Sequence, residues 1–550
     1  MIFIVIYTIC ALVLFVAITS YVSIQFKINR KAIVIRGSMH SEKTLKKFAQ
    51  APGPHPWPII GNLDRIGRNV HNPFEGLTEL AAQYGDIYSL TLGHTRCLVV
   101  SSLDLIREVL NQNGKFFAGR PDFLRYHKLF GNDRNNSLAL CDWSQLQQKR
   151  RNLARRHCSP RESSSYFTKM SQIGCNEVDK FLNELNKIIL PGQSLNIKPL
   201  ILQACANMFS QYMCSQRFQY NDVEFGKVVR YFDEIFWEIN QGYALDFLPW
   251  LSPFYKNHIQ KIVHWSTTIR KFILDRVINE REVNVDFDEP DNDFTDALLK
   301  SGIENESVSR NTIIFMLEDF IGGHSAVGNL VMLALGYIAK DRSIGVQIQK
   351  EADIISNNGQ RRIELNDMKA MPFTMATILE VLRSSSSPIV PHVATEDAVI
   401  SGFGVTVGTI VLINNYALNT SEQYWDLPKQ FNPERFLEKV PHASGKGISK
   451  CETRKRRNSE GNYDFDQNDS AKSQPYKFIL KKNIPHFLPF SIGKRTCIGQ
   501  SLVRGFGFIL LANIIQRYNV TSADVNTIKI NPASIALPAN SYSLVLTSRN

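Results

Sequence analysis

Phe490-Ser-Ile-Gly493-Lys-Arg495-Thr-Cys497-Ile-Gly499 is the stretch that decides how this chain is read. It is a short glycine-flanked loop that runs straight into an apolar helical segment, residues 500–517. A cysteine at a helix entry sits beside unpaired first-turn N–H groups and the positive end of the helix dipole, and both favour its thiolate. The glycines let backbone come close beneath a flat ligand where a side chain would collide. Arg495, two residues upstream, offers a cation to a carboxylate. A thiolate presented in this way suits the axial position of a haem iron. A lone cysteine is more often a buried structural residue, but the joint placement of Phe490, Gly493, Arg495, Cys497 and Gly499 argues against that here.

Working outward, Glu380-Val-Leu-Arg383 puts two opposite charges on one helical face. Alone it would be a solvated ion pair of little consequence. Phe431-Asn-Pro433-Glu434-Arg435-Phe436 follows it, ahead of the cysteine loop. The spacing Phe-x-x-Gly-x-Arg-x-Cys-x-Gly, with those two motifs in that order, resembles the cytochrome P450 superfamily from the end of the N-terminal apolar run onward. The resemblance implies a buried network of Glu380, Arg383 and Arg435 that fixes the loop carrying Cys497. Stretches 141–162, 317–332, 384–397 and 485–500 resemble more narrowly the Spook-type arthropod enzymes of ecdysteroid synthesis. That likeness implies an oxidoreductase of monooxygenase type acting on a sterol precursor of the moulting hormone.

The fold class implied is mainly α with a small β portion, the cytochrome P450 fold. One large catalytic domain, residues 63–550, is expected behind an N-terminal transmembrane anchor. Residues 1–26 contain no charged side chain and are long enough to cross ~30 Å of hydrocarbon. Lys27, Arg30, Lys31, Arg36, Lys43, Lys46 and Lys47 follow, opposed only by Glu42, which keeps the remainder on the cytoplasmic side. The proline-rich run Pro52-Gly-Pro54-His-Pro56-Trp-Pro58 cannot be helix or sheet interior, so 27–62 reads as a basic, stiff linker. Helical periodicity covers 144–157, 165–187, 223–240, 258–281, 312–340 and 373–383. Alternation over 86–102 predicts a hairpin, 398–413 a later β portion, and 528–546 short strands around turns. Residues 438–482 hold few apolar side chains and read as a disordered surface insertion.

The composition fits. The 550 residues carry a formal charge of +12 with no nucleic-acid module, which points to a membrane surface and an acidic partner. The 9 cysteines are scattered without a CxxC pair, against a disulfide framework or zinc site and for a reducing compartment.

The resemblance further implies haem b as cofactor, with Cys497 as metal ligand and Phe490, Gly493 and Gly499 shaping its loop. Arg495 and His392 are the candidates to meet its propionates. Trp143 resembles the Trp of a Trp-x-x-x-Arg motif whose Arg position holds Gln147, so Arg150, at i+7 from Trp143, is the substitute weighed. Nothing in the chain resembles a flavin or nicotinamide module. The electron donor implied is a membrane-bound NADPH–cytochrome P450 reductase, with cytochrome b5 as an additional donor, docking on Lys149, Arg150, Arg155, Arg156 and Lys494. The compartment implied is the endoplasmic reticulum membrane.

One departure stands out. The apolar segment 311–340 corresponds to the helix that crosses the superfamily's distal haem face, where an acid–alcohol pair relays protons. Register on Gly322-Gly323 puts Ser325 at the acid position and Ala326 at the alcohol. Ser325 and His324 are the residues left to move protons. Two alternatives stay open: an isomerase or dehydratase that needs no dioxygen, and a non-catalytic haem protein that binds sterol or a diatomic gas.

Overall fold

The segment after the cysteine loop forms the helix Gln500–Arg517, whose side chains are buried from Leu502 through Gln516 with few interruptions. It packs against His324–Lys340, which is also buried on nearly every side. Helices that are apolar all round have no solvent face to keep, so they take the centre and amphipathic helices wrap them. Ser165–Ile188, Arg342–Ser356 and Pro372–Ser385 form that wrapping, and Lys198–Cys214, itself buried on nearly every side, packs beside His324–Lys340. Each fully buried Leu, Ile or Phe contributes roughly 1.5–3 kcal/mol, so the cysteine loop leads into a firmly packed helix. This computed structural model describes residues 2–28, 32–36, 45–67, 72–286, 288–304, 309–441 and 476–549.

The expected helices are present with shifted ends, as Gln145–Cys158, Ser165–Ile188, Val223–Asn240 and Pro372–Ser385. Ser144, Ser164 and Asp222 cap the first three, each accepting a backbone N–H from three residues on. The stretch 258–281 is divided into Lys256–Ile273, a wide turn Leu274–Ile278, and Asn279–Asn284. Lys198–Cys214 escapes a reading by periodicity because it is buried almost all round.

The predicted hairpin is Ile87–Leu92 antiparallel to Thr95–Val100. Ile410–Ile413 joins Thr95–Val100 in parallel, and His392–Val393 closes that sheet at the far edge. Ala32–Arg36, Leu45–Ala49, Phe403–Val405 and Ala398–Ile400 make a second sheet.

Three expectations change. Residues 45–62 are not a free linker: Ala49 pairs with Phe403, Ser89 N–H donates to Pro52 O at 2.6 Å, and Gly61 bridges to Leu92. Prolines that cannot enter a sheet still pack along its edge, so the body begins before residue 63. The insertion is narrower than 438–482. Leu437–Pro441 pairs antiparallel with Tyr476–Leu480, anchored by buried Phe436 and Leu437, and the intervening 442–475 lie outside the described residues. Within 528–546 the single strand is at its end, Val545–Ser548, paired with Tyr518–Thr521. Pro532 and Pro538 remove donors that a longer ladder would need.

Ile2–Ile28 is one helix, and its window Val5–Val22 is nowhere buried. Among the described residues one other helical stretch, Arg310–Lys340, is long and apolar enough to span a membrane, and it is mostly buried.

Candidate cofactor site

Backbone contacts hold the cysteine loop in place. Cys497 N–H donates to Phe490 O at 2.9 Å, and Thr496 Oγ1 reaches Phe490 O and Ser491 O. Gly493 has φ of 75°, and a Cβ there would lie 2.1 Å from Leu110 O. Its glycine is therefore demanded by packing against the 108–112 turn, not by approach of a ligand. A Cβ on Gly499 would meet no protein atom within 4 Å, so the chain itself does not require glycine there. The Phe490 ring lies 5.2 Å from the Arg504 guanidinium.

Cys497 is exposed by its accessible surface, yet protein atoms crowd around its sulfur. Burial pushes its thiol pKa up, while N–H groups of Gly499 and Gln500 and the charge of Arg151 pull it down. The helix entry thus acts on the sulfur as its position implies, but burial wins in the protein alone. Coordination to a metal cation removes such a proton outright.

Beside the loop lies a cluster of positive charge. Arg120, Arg151 and Arg495 are each 6% exposed, and among the described residues none of their guanidinium groups has a carboxylate within 4 Å, although the Arg120 backbone N–H donates to Asp142 Oδ1 at 3.0 Å. The guanidinium hydrogen bonds go to carbonyls instead. Arg120 donates to Ala139 O, Val390 O and Pro391 O, Arg151 to Thr496 O at 2.6 Å, and Arg495 to Ala139 O and Cys141 O. Burial and mutual repulsion lower the pKa of Arg120 well below normal and that of Arg151 to about 10. Arg495 Nη1, Arg151 Nε and His392 Nε2 are buried with no partner. His392 donates from Nδ1 to Phe117 O at 2.6 Å, and burial followed by the charge of Arg120 keeps its ring neutral.

Arg495 and His392 are therefore brought together as the sequence implies, but Arg150 is not. Its guanidinium turns to Asn135 O and Thr312 Oγ1, and the helix presents Arg151 to the cluster instead. Trp143 precedes the cap Ser144 and lies outside the helix Gln145–Cys158, so helical phase cannot be counted from it; Arg151 follows the buried Gln147 by four residues and shares its face. Trp143 itself lies beneath Lys494 Nζ, 5.3 Å from its ring. Arg120 escapes the sequence reading, because it is one of several charged residues in 120–134 and nothing local sets it apart.

Behind the loop, Arg383 holds Glu380 through two 2.7 Å contacts, and Arg435 Nε reaches the same carboxylate at 3.1 Å. Asn432 N–H adds a fourth donor at 2.8 Å. The remaining guanidinium N–H groups bind carbonyls of Asn419, Asp426, Pro428 and Gln430. Glu380 and Arg383 are essentially inaccessible, so this is a buried ion network with its donors satisfied.

The cytochrome P450 family profile matches residues 51–546. Cytochrome P450 307a1 of Drosophila melanogaster is 64% identical over 548 residues, covering 99% of this chain and 98% of that one. Cytochrome P450 1A1 of Sparus aurata is 27% identical, with 85% of each chain covered, and cytochrome P450 1A2 of Oryctolagus cuniculus is 26% identical, with 86% of each covered.

The chain belongs to the cytochrome P450 family.

A cytochrome P450 binds haem through a cysteine thiolate, and the residues here fit that group. Three buried guanidiniums without a carboxylate are costly unless anions meet them, and haem b carries two propionates. Cys497 would supply the thiolate, with Arg120, Arg151, Arg495 and His392 facing the propionates. Bound haem with a thiolate ligand supplies the dioxygen-activating redox chemistry of a monooxygenase. Arg120→Leu or Arg495→Leu removes a charge-assisted contact of about 1.5–3 kcal/mol. Either variant is expected to lower haem affinity roughly 10- to 100-fold, read as haem per protein after dialysis against apomyoglobin, with Arg150→Leu near wild type.

In this cytochrome P450 the distal helix is not continuous. Arg310–Ile321 and His324–Lys340 meet at Gly322-Gly323, where Gly323, Ser325 and Ala326 N–H groups bond three residues back and tighten the turn. A Cβ on Gly322 would press on Phe232, and one on Gly323 on Phe209, so close helix packing explains the pair. His324 and Ser325, the residues expected to relay protons, are wholly buried, whereas Ala326 is partly open. His324 binds Ile321 O, packs edge-on to Phe232 at 5.4 Å, and lines a cavity of about 10 Å³ with Ser210 and Val229. Burial lowers its pKa to about 4, so it is neutral at physiological pH. Neither residue is on the open face.

Proposed function

We propose that this cytochrome P450 oxidises a sterol precursor in ecdysteroid synthesis, held in the endoplasmic reticulum membrane by Ile2–Ile28. The observation that carries the reading is the end-to-end similarity to the Drosophila protein, together with the Spook-type stretches, above all 317–332. The geometry around the central helix supports a bulky apolar substrate. Asp319 ties it to the 137–139 loop, Arg120 ties that loop to 390–391, and Asn329 Oδ1 accepts from Leu537 N–H. Phe123 and Tyr126, in the segment that follows Arg120, pack with Phe247 of the short helix Ala244–Phe247. Such apolar walls with few polar groups suit a rigid tetracycle.

NADPH–cytochrome P450 reductase, with cytochrome b5 beside it, is the donor in this reading. Lys149, Arg155, Arg156 and Lys494 are exposed and offer an acidic partner a positive landing surface. The test is full-length protein in microsomes with added reductase and 7-dehydrocholesterol, products followed by mass spectrometry. A new oxidised sterol that requires both NADPH and dioxygen is expected. Product formed without either would replace the reading with an isomerase or dehydratase, and binding without any product would leave a sterol carrier.

A further inference from the structure

Between residues 312 and 336 the central helix leaves Asp319, Gly322, Gly323 and Ala326 partly open, while its other side chains are buried. At the two glycines the openness is that of backbone, since a Cβ there would meet Phe232 and Phe209, and Asp319 and Ala326 lie on either side of the turn they form. Asp319 is the titratable group among them. Its carboxylate accepts from Ser137 Oγ at 3.2 Å, from Leu138 N–H at 2.5 Å and from Ala139 N–H. Ala139 O in turn accepts from Arg120 and Arg495, so the carboxylate sits one peptide away from the cationic cluster of the cofactor site.

We propose that Asp319 is the carboxyl group that supplies a proton to the distal cleft of this chain, in place of the acid–alcohol pair absent at Ser325 and Ala326. Monooxygenation consumes the substrate, dioxygen, two electrons and two protons, and yields the hydroxylated product and water. The electrons come from the reduced flavoprotein donor. For one of the two protons the Asp319 O–H bond breaks, its electron pair stays on the carboxylate, and the proton ends on the departing water; the second proton comes from solvent water. Solvent reprotonates the carboxylate before the next turnover. Asp319 lies about 10 Å along the helix axis from Ala326, so the proton crosses through water in the cleft, and Asp319 acts at one remove.

The surroundings allow both protonation states. Burial raises the Asp319 pKa to about 7, against the pull of its three donors and of Arg150 from the helix Gln145–Cys158. The other groups that sense it are Cys141 on the neighbouring loop and Glu318 beside it, a buried carboxyl pushed well up and answered by Arg270. A donor with a pKa near ambient pH is where acid catalysis works best.

The inference stands on monooxygenase chemistry and not on which sterol is bound. Its test compares Asp319→Asn, Asp319→Glu and Ser137→Ala in the full-length haem-loaded protein. Wild-type product formation should fall as pH rises through about 7, and infrared difference spectra should show a carboxylic C=O band titrating over the same range. Asp319→Asn should keep the ferrous–carbonyl spectrum, lose the band and the pH limb, and yield about 100-fold less product per NADPH, with peroxide rising. Asp319→Glu should retain the limb, and Ser137→Ala, which removes a latch but not the acid, should retain it too. If Asp319→Asn leaves the limb and the coupling intact, the proposal is wrong. If Ser137→Ala reproduces every effect of Asp319→Asn, Asp319 only fastens the loop, and the proposal also falls. Should Asp319→Asn not fold, Asp319→Glu decides: a band or limb that does not move with the longer carboxyl overturns the assignment.

Discussion

Cys497→Ser is expected to abolish the long-wavelength Soret band of the ferrous–carbonyl complex and all NADPH-dependent oxidation, without unfolding the chain. The loop does not depend on sulfur for its shape: Cys497 is tied through its backbone N–H to Phe490 O, and Gly493 is locked against Leu110. A hydroxyl in the same place keeps the volume but cannot provide a soft, polarisable anion at neutral pH, and the thiolate is what distinguishes this class of haem centre. The arginine cluster remains, so the variant should still take up some haem, now with a non-thiolate spectrum. A wild-type protein whose carbonyl complex already shows an imidazole-type band would overturn the assignment of Cys497.

Glu380→Ala should have the second large effect, on the amount of haem-loaded protein recovered. The substitution strips the carboxylate from Arg383 and Arg435 while both guanidiniums stay buried, at 1% and 8% side-chain exposure. Breaking a buried ion network from one side costs about 3–5 kcal/mol, a large part of the 5–15 kcal/mol typical of a folded protein. Carbonyl-binding protein per milligram should drop to near background, and limited proteolysis should open the chain near the cysteine loop. Removing all three charges together, as Glu380→Leu, Arg383→Met and Arg435→Met, should do less damage, because no buried charge is left unpaired. If Glu380→Ala alone accumulates haem as the wild type does, the network does not hold the loop.

Much of this is legible in the sequence. The cysteine loop, the Glu380–Arg383 pair and Arg435 are local patterns whose partners are specified by residue type and order, and the structure closes them into one network. The hairpin over 87–100 and the amphipathic helices also carried their own period. Other elements did not. Lys198–Cys214 is buried all round, so it lacks the polar stripe that would announce it. The strand Leu45–Ala49 is basic and does not alternate, and its place in the sheet rests on Ala32–Arg36 beside it and on Phe403 far away in sequence.

The sequence by itself determined the family, the thiolate and the arrangement that supports it, because those depend on residue chemistry at short, fixed spacings. Tertiary structure alone decided which side chains face the cofactor site and which face the core. Helix phase turned Arg151 inward and Arg150 aside. The tight turn at Gly322-Gly323 buried His324 and Ser325 and left Asp319 partly open. One residue along a helix rotates a side chain by roughly 100°, so identity can be read from a motif while direction waits for the neighbours that pack against it.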